Sequence, residues 1–432
     1  MKSEDVTLRC NKVLMLGHCP GVFMGPLATL LRQNLGLHVS VMEMGSPGIE
    51  LRGTTADAYD EVLQRPSLTG AGRKKDVYRQ LWGARSKTER WELGKQILSR
   101  KRPGAMAAFV RDRMSDARRD LAMRDVLAGF KVFHIQFLFP NFSTLLPLLP
   151  PGARVLLSVC GSDLLRTAGV ETYARQLALC ERADLITVRS LEMREIFLAK
   201  FGRGFFPKMR LARWGDVNLP LIDTVDSPDQ RRSFLARQGI PQQRCVVCVG
   251  HNGFPENQHL EVLSRLAAMD PALKQHLALI IPMTYGGDEE YRAQVREAAL
   301  QTGMPFTILT DYLTSEDVAR LRVSADVMIH VPISDSLGGS MCATLYAGNA
   351  VITGAWLPYG ELRRLAVPMF EIESFDDLPQ VLYRAADRQK MSDADKGLVR
   401  QRIRDIADWS RLTEDWCAVY RELLQGAGGA NS

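Results

Sequence analysis

Two successive α/β halves, each built on a doubly wound parallel sheet, are the fold class this sequence predicts. Three observations carry the prediction. The chain opens on a βαβ pattern: an apolar run at 12–17 (KVLMLG), helical spacing over 25–35, and a second run at 38–44 (HVSVMEM). Strand-like and helix-like segments then alternate strictly from 244 to 331, the pattern of parallel strands joined by crossover helices. Finally, 432 residues, 46% of them hydrophobic, suffice for two cores of ordinary size rather than one.

The first strand runs into Gly17-His18-Cys19-Pro20-Gly21. The glycines at 17, 21 and 25 do not fit the GxGxxG spacing of a dinucleotide site, and no P-loop sequence occurs anywhere in the chain. From about 57 to 128 the sequence is rich in Arg, Lys, Ala and Leu with helical apolar spacing, which predicts a helical insert broken near 66–72 and 102–104. Within it, residues 64–124 carry 17 Lys plus Arg against 6 Asp plus Glu. A surface of that sign suits an anionic membrane face or a phosphorylated acceptor ahead of nucleic acid, and a solvated helical face is the plain alternative.

Strands resume at 131–137 (KVFHIQF) and 154–160 (RVLLSVC), each followed by a polar loop. Ligands of open α/β sheets gather outside the carboxyl ends of strands, which makes His134, Gln136, Ser162 and Asp163 candidates for chemistry. His134 alternates with Val132 and Gln136 along one strand face, so a core histidine is its other reading; Asp163 equally suits the cap of a helix starting at Leu164. A strand at 184–189 (DLITVR), a helix over 191–201 and the run 211–216 (LARWGD) complete a first domain of residues 1–217.

Turn residues from Asn218 to Asp229, a short helix, and Gly239-Ile240-Pro241 together mark 218–243 as a linker. The second domain, 244–407, reads as strands at 244–250, 277–283, 305–309 and 325–331 with helices at 258–269, 289–302 and 315–323 between them. Helices at 394–407 and 408–424 follow, the latter expected to pack back on the first domain, and 425–432 reads as a disordered tail.

Within 331–364 (VPISDSLGGSMCATLYAGNAVITGAWLPYGELRR) a strand gives way to a polar, glycine-bearing loop, a helix begins near Ser340, and a second buried strand follows at 350–353. Unpaired N–H groups at a helix N-terminus favour anions, and Gly338 and Gly339 let a phosphate approach the main chain. A tight strand–helix turn without a ligand is the plainer reading of the same glycines.

Eight cysteines are scattered through apolar runs, which fits reduced core residues. Cys245-Val-Val-Cys248 has CxxC spacing, but a strand aims the two thiols at opposite faces and no second pair completes a zinc site, so no metal is expected. The apolar runs are shorter than the roughly 18–20 residues of a membrane span and the first eleven residues are too polar for a signal peptide, so the expected location is cytoplasmic, including the inner face of the membrane.

Two tandem Rossmann-like domains, a terminal helix pair, and the loops 249–253 (VGHNG), 282–286 (PMTYG) and 334–348 stand in the order of the GT-B glycosyltransferases, which the chain resembles over nearly its whole length. The segments 163–166 (DLLR) and 184–193 (DLITVRSLEM) are similar to first-domain motifs of bacterial polysaccharide-type, family 4-like members. The likeness to lipid-linked fucosamine transferases is more distant. The resemblance implies two domains facing a cleft, no cofactor, and a metal-independent transfer of a sugar from a nucleotide-diphosphate donor to a saccharide or lipid-linked acceptor in surface-polysaccharide synthesis. It implies donor contacts from Gly250, His251, Asn252, Gly253, Tyr285, Asp311, Tyr312, Asp335, Ser336, Gly338, Gly339 and Ser340. Retention of configuration needs mainly charge stabilisation, whereas inversion needs a base, for which His18, His134 and Asp163 stand at strand ends.

Many retaining members carry two glutamates eight residues apart in this loop. With Gly348 on the family's terminal glycine, Asp335 takes the first position and Ala343 the second. The family's Arg and Lys after the first strand of the second domain have no match, which leaves Arg213, Arg363 or His251 to supply charge to the departing diphosphate. Asp393-Ala-Asp395 matches the DxD metal signature of another transferase class, but at the start of a terminal helix acidic residues serve the macrodipole. A non-catalytic nucleotide-sugar-binding protein and an NDP-sugar 2-epimerase are the alternatives on the same fold.

Overall fold

The computed structural model describes residues 12–17, 24–44, 56–65, 91, 95, 99, 103–387 and 391–425. Seven strands form the first sheet: β1 (Lys12–Gly17), β2 (His38–Glu43), β3 (Glu61–Leu63), β4 (Val132–Gln136), β5 (Arg154–Ser158), β6 (Leu185–Val188) and β7 (Met209–Leu211). Six form the second: β8 (Cys245–Val249), β9 (Leu277–Pro282), β10 (Phe306–Leu309), β11 (Val327–His330), β12 (Ala350–Gly354) and β13 (Phe370–Ile372). Both sheets are parallel, in the orders β3-β2-β1-β4-β5-β6-β7 and β10-β9-β8-β11-β12-β13. Chain direction across each sheet reverses once, between β1 and β4 and between β8 and β11. These switch points are where an open α/β sheet leaves a crevice at its carboxyl edge.

Central strands such as β9 (LALIIP) and β11 (VMIH) are buried at every position, because parallel sheets are covered on both faces and select continuous apolar runs. The chain falls into two compact units, one of Met1–Ser158, Gly169–Ile186 and Tyr420–Ser432, the other of Val159–Ala168 and Thr187–Val419. In the second unit one apolar layer holds Val246, Met328, Met341, Leu345 and Ile403, and another holds Val247, Leu263, Leu279, Ile352 and Leu382.

Two local readings differ from the fold. Much of the basic insert, including Arg73, Lys74 and Lys75, lies outside the described residues, but Glu61–Leu63 within it pairs with β2 as an edge strand, and Pro103–Leu127 forms one 25-residue helix. Three residues are too few for periodicity to register a strand. The short helix read in the linker is Pro228–Arg237, but a second helix, Leu219–Val225, stands where only turn residues were read, with Leu219, Ile222, Val225, Phe234 and Leu235 buried. No helix among the described residues is long and apolar enough to cross a membrane.

Candidate functional site

The switch point of the second sheet gathers three loops. Gly250–Gly253 leaves β8, the Met283–Gly287 loop leaves β9, and Val331–Gly338 leaves β11 for the helix Gly339–Tyr346. That helix begins without a side-chain cap: Gly338 sits in extended conformation at the N-cap position and offers nothing to the first N–H groups. At its far end Gly348, at φ 88°, turns the chain into β12.

Arg322 reaches this helix N-terminus from below. It sits on the helix Ser315–Ser324, is only 4% exposed, and donates from Nη2 to Ser340 Oγ at 2.9 Å and from Nη1 to Cys248 Sγ at 3.9 Å. Its Nε is buried without a partner, as is the Nε of Arg189, and neither arginine has an ion-pair partner among the described residues. Two carboxylates lie near the helix start: Asp335, whose Oδ2 is 2.9 Å from where a Gly338 Cβ would be, and Asp216, whose Oδ2 lies 3.7 Å from where a Gly339 Cβ would be. Burial pushes the acid strength of Asp216 down, against two hydrogen bonds from Asn218 and the pull of Arg322 and Arg189. Two guanidinium groups and an uncapped helix N-terminus place positive potential in one region, with Asp216 and Asp335 nearby and no salt bridge to either arginine among the described residues. Sequence reading missed both arginines, since Arg322 occurs in a run (ARLRVS) that reads as a solvated helical face.

The cations that sequence reading named are committed elsewhere. Arg213 donates to Glu361 at 2.8 Å and Arg363 to Glu371 at 2.8 Å. Burial, then the neighbouring His330, lowers the His251 pKa to about 3, so its ring is neutral at physiological pH and supplies no charge.

Asp335 stands at the mouth of the loop with its side chain a quarter exposed. Its Oδ2 accepts from Tyr359 Oη at 2.7 Å and lies 3.3 Å from His330 Nε2. Burial raises its pKa, and the hydrogen bonds from His330 and Tyr359 outweigh that effect and hold the carboxyl well below the usual range. Ala343, eight residues on, is 1% exposed and part of the apolar layer under the helix.

Other expected contacts divide into loop braces and open side chains. Ser336 is buried and donates to the Cys160 carbonyl at 2.5 Å, so its hydroxyl is already engaged. The Asn252 side-chain oxygen Oδ1 accepts from Phe254 N and from Asn257 Nδ2 at 2.7 Å, which folds the β8 loop on itself. Gly253 admits the β9 loop, because a Cβ there would lie 2.5 Å from the Gly286 oxygen; Gly250, at φ 69°, would set a Cβ 2.7 Å from His259 Nε2. Tyr285 is 52% exposed with its hydroxyl accepting from Asn252 Nδ2 at 3.3 Å, and Asp311 and Tyr312 are exposed beyond β10.

None of the expected bases within the described residues is shaped for proton transfer. His134 is fully buried, with Nδ1 2.7 Å from Tyr420 Oη and Nε2 2.7 Å from Ser158 Oγ, and burial lowers its pKa to about 3. Both ring nitrogens are engaged, which makes it a core histidine. Asp163 is also fully buried and accepts from the Gly161 N–H at 2.6 Å and the Cys160 N–H at 3.2 Å, so its carboxylate fixes the loop after β5. His18 lies outside the described residues. Asp395 of the DxD sequence serves helix capping, taking the Ser392 hydroxyl at 2.7 Å.

No family model and no curated protein sequence matches the chain. Its structure is nevertheless similar to that of the HepE protein of Anabaena in complex with UDP and glucose, at a TM-score of 0.64 and 13% identity, covering 97% of this chain and 99% of that one. A glycosyltransferase of Rickettsia africae superposes at a TM-score of 0.66 and 12% identity, covering 98% and 99%. The chain has the GT-B fold. Sucrose-phosphate synthase of Thermosynechococcus elongatus shares it at a TM-score of 0.61 and 16% identity over 96% of this chain and all of the other. In GT-B terms the Gly339–Tyr346 helix is the second-domain helix that follows the fourth strand of its sheet.

Proposed function

We propose that this GT-B chain is a glycosyltransferase that takes a sugar from a nucleotide-diphosphate donor. The observation that carries the reading is Arg322, a buried guanidinium with no ion-pair partner among the described residues, hydrogen-bonded to Ser340 at an uncapped helix N-terminus. A buried cation without a direct salt bridge is costly, and a bound diphosphate would offset that cost. UDP and UDP-glucose in the HepE structures are consistent with it. In the reaction an acceptor hydroxyl oxygen bonds the anomeric carbon, the bond from that carbon to the phosphate oxygen breaks, its electron pair leaves with the diphosphate, and the departing phosphate oxygen takes up the hydroxyl proton. Arg322, Arg189 and the helix N-terminus meet that charge, so the transfer is read as independent of metal. Asp335 receives the hydroxyls of the donor sugar, and the acceptor is a glycan or lipid-linked saccharide of surface-polysaccharide synthesis.

A second reading, a nucleotide-sugar-binding protein without turnover, rests on Ala343, which is buried in the core where many retaining relatives place a glutamate. One experiment separates the two. Thermal melts with UDP-, GDP-, ADP- and dTDP-sugars identify the donor, because ligands of the native state raise its melting temperature. Transfer with that donor to lipid-linked and free saccharides is then followed with EDTA present. Product formation supports the transferase, a melting shift without product supports the binder, and no shift with any nucleotide sugar rejects both. Work at the membrane face, read from the basic insert, predicts salt-sensitive flotation with anionic liposomes that charge reversal at Arg73, Lys74 and Lys75 weakens. Flotation that neither salt nor reversal changes rules it out.

A further inference from the structure

We infer that His330 is a positioning residue of this site, acting through Asp335 to set how the donor sugar, as distinct from the nucleoside diphosphate, is held. The inference rests on the functional reading above. His330 is the last residue of β11 and its side chain is completely buried. Its Nε2 lies 3.0 Å from Tyr359 Oη and 3.3 Å from Asp335 Oδ2, while Tyr359 Oη donates to the same Oδ2 at 2.7 Å. A tyrosine hydroxyl has one proton, and here the carboxylate takes it. Burial, with Asp335 beside it, raises the Tyr359 pKa and keeps that proton in place. The hydroxyl oxygen must therefore accept from His330, which fixes the ring with its proton on Nε2.

Two of these three bonds end on Oδ2, and the third joins His330 to Tyr359. Oδ1 takes part in none of them and is left for a ligand hydroxyl. Asp335 is one methylene shorter than the family's glutamate, and the His330–Tyr359 pair fixes the orientation that its short side chain presents. The loop is built around this pair: a Cβ on Gly338 would lie 2.7 Å from His330 Nε2 and 2.9 Å from Asp335 Oδ2. On the other side the ring meets His251, with centroids 5.3 Å apart, and its Nδ1 is buried without a partner. The ring is therefore confined by Tyr359, Gly338 and His251. This residue is invisible to a search for exposed polar groups.

The test compares affinities for UDP, GDP, ADP and dTDP with those for their sugar conjugates, by calorimetry on the full chain. His330→Phe should weaken the nucleotide sugar by about tenfold or more while changing the matching diphosphate less than about twofold. His330→Gln, whose amide N–H reaches to a similar distance, should restore most of the loss. Tyr359→Phe, which removes the hydroxyl between the ring and Oδ2, should reproduce it. In an Asp335→Asn background His330→Phe should add little. The inference is overturned if His330→Phe weakens diphosphate and nucleotide sugar equally, or neither. Should that variant melt well below the parent, Tyr359→Phe and His330→Gln carry the same comparison. If the parent binds no diphosphate and no conjugate, the functional reading itself fails, which is a different result from binding that ignores His330.

Discussion

Arg322→Met should abolish the melting-temperature rise produced by the donor and lower sugar transfer by about 10²–10³-fold, the usual effect of removing one preorganised group from a developing negative charge. The unliganded protein should be no less stable. Arg322 lies between β8 and the Gly339–Tyr346 helix, with hydrogen bonds to Ser340 and Cys248 and no ion pair among the described residues. A buried charge without a direct salt bridge is costly to the free fold, and a linear apolar side chain of similar length removes more of that cost than it loses in attraction to Asp216, while filling the space. Loss of binding together with retained or increased stability is the result that a purely structural arginine would not give. A variant that melts lower than the parent yet still responds fully to the donor would show that Arg322 braces the core and leaves the diphosphate alone.

Stability should also fall steeply as the pH drops below about 6.5. Burial lowers the pKa values of His134, His251 and His259 to about 3, 3 and 4. For each ring the folded pKa lies below the unfolded one, so the unfolded chain takes up the proton first. The contribution is complete above the unfolded value and declines as pH falls, until the ring titrates in the folded state as well. Each such histidine adds about 1.4 kcal/mol per pH unit within that window, so three give about 4 kcal/mol per unit. Urea unfolding at half-unit steps from pH 7.5 to 4.5 measures the slope. His134→Phe should cost about 1–3 kcal/mol at pH 7.5 by leaving the Tyr420 and Ser158 hydroxyls unpaired, and it should flatten the slope by about a third. A slope unchanged by that substitution would mean that His134 is protonated in the fold.

The alternation of apolar runs with helical spacing was enough to read two parallel sheets, because a strand covered on both faces must be apolar throughout and its crossover must be an amphipathic helix. Gly338 and Gly339 could be placed at the start of a helix for the same local reason: glycines after a strand mark a close turn whose N–H groups face outward. Roles that depend on neighbours remote in sequence could not be read in this way. His134 and His330 are both histidines in buried strands, yet one closes on Ser158 and Tyr420 inside the core and the other on a carboxylate at the strand's end. Asp163 stands where a base would be expected, and its own loop's amides claim it.

For this chain the sequence by itself determined the two sheets, the order of their strands and helices, and the loop from Val331 to Gly338 with Asp335 at its mouth, since each follows from periodicity and turn chemistry within a few residues. Only the tertiary structure decided which charges are committed and which are open. Arg213 and Arg363 meet carboxylates, whereas Arg322 and Arg189 do not. The reason is distance: an ion pair or a buried hydrogen bond is decided within about 4 Å in space, and Arg322 meets Ser340, or Tyr359 meets His330, only after the sheet has brought β8, β11 and β12 side by side.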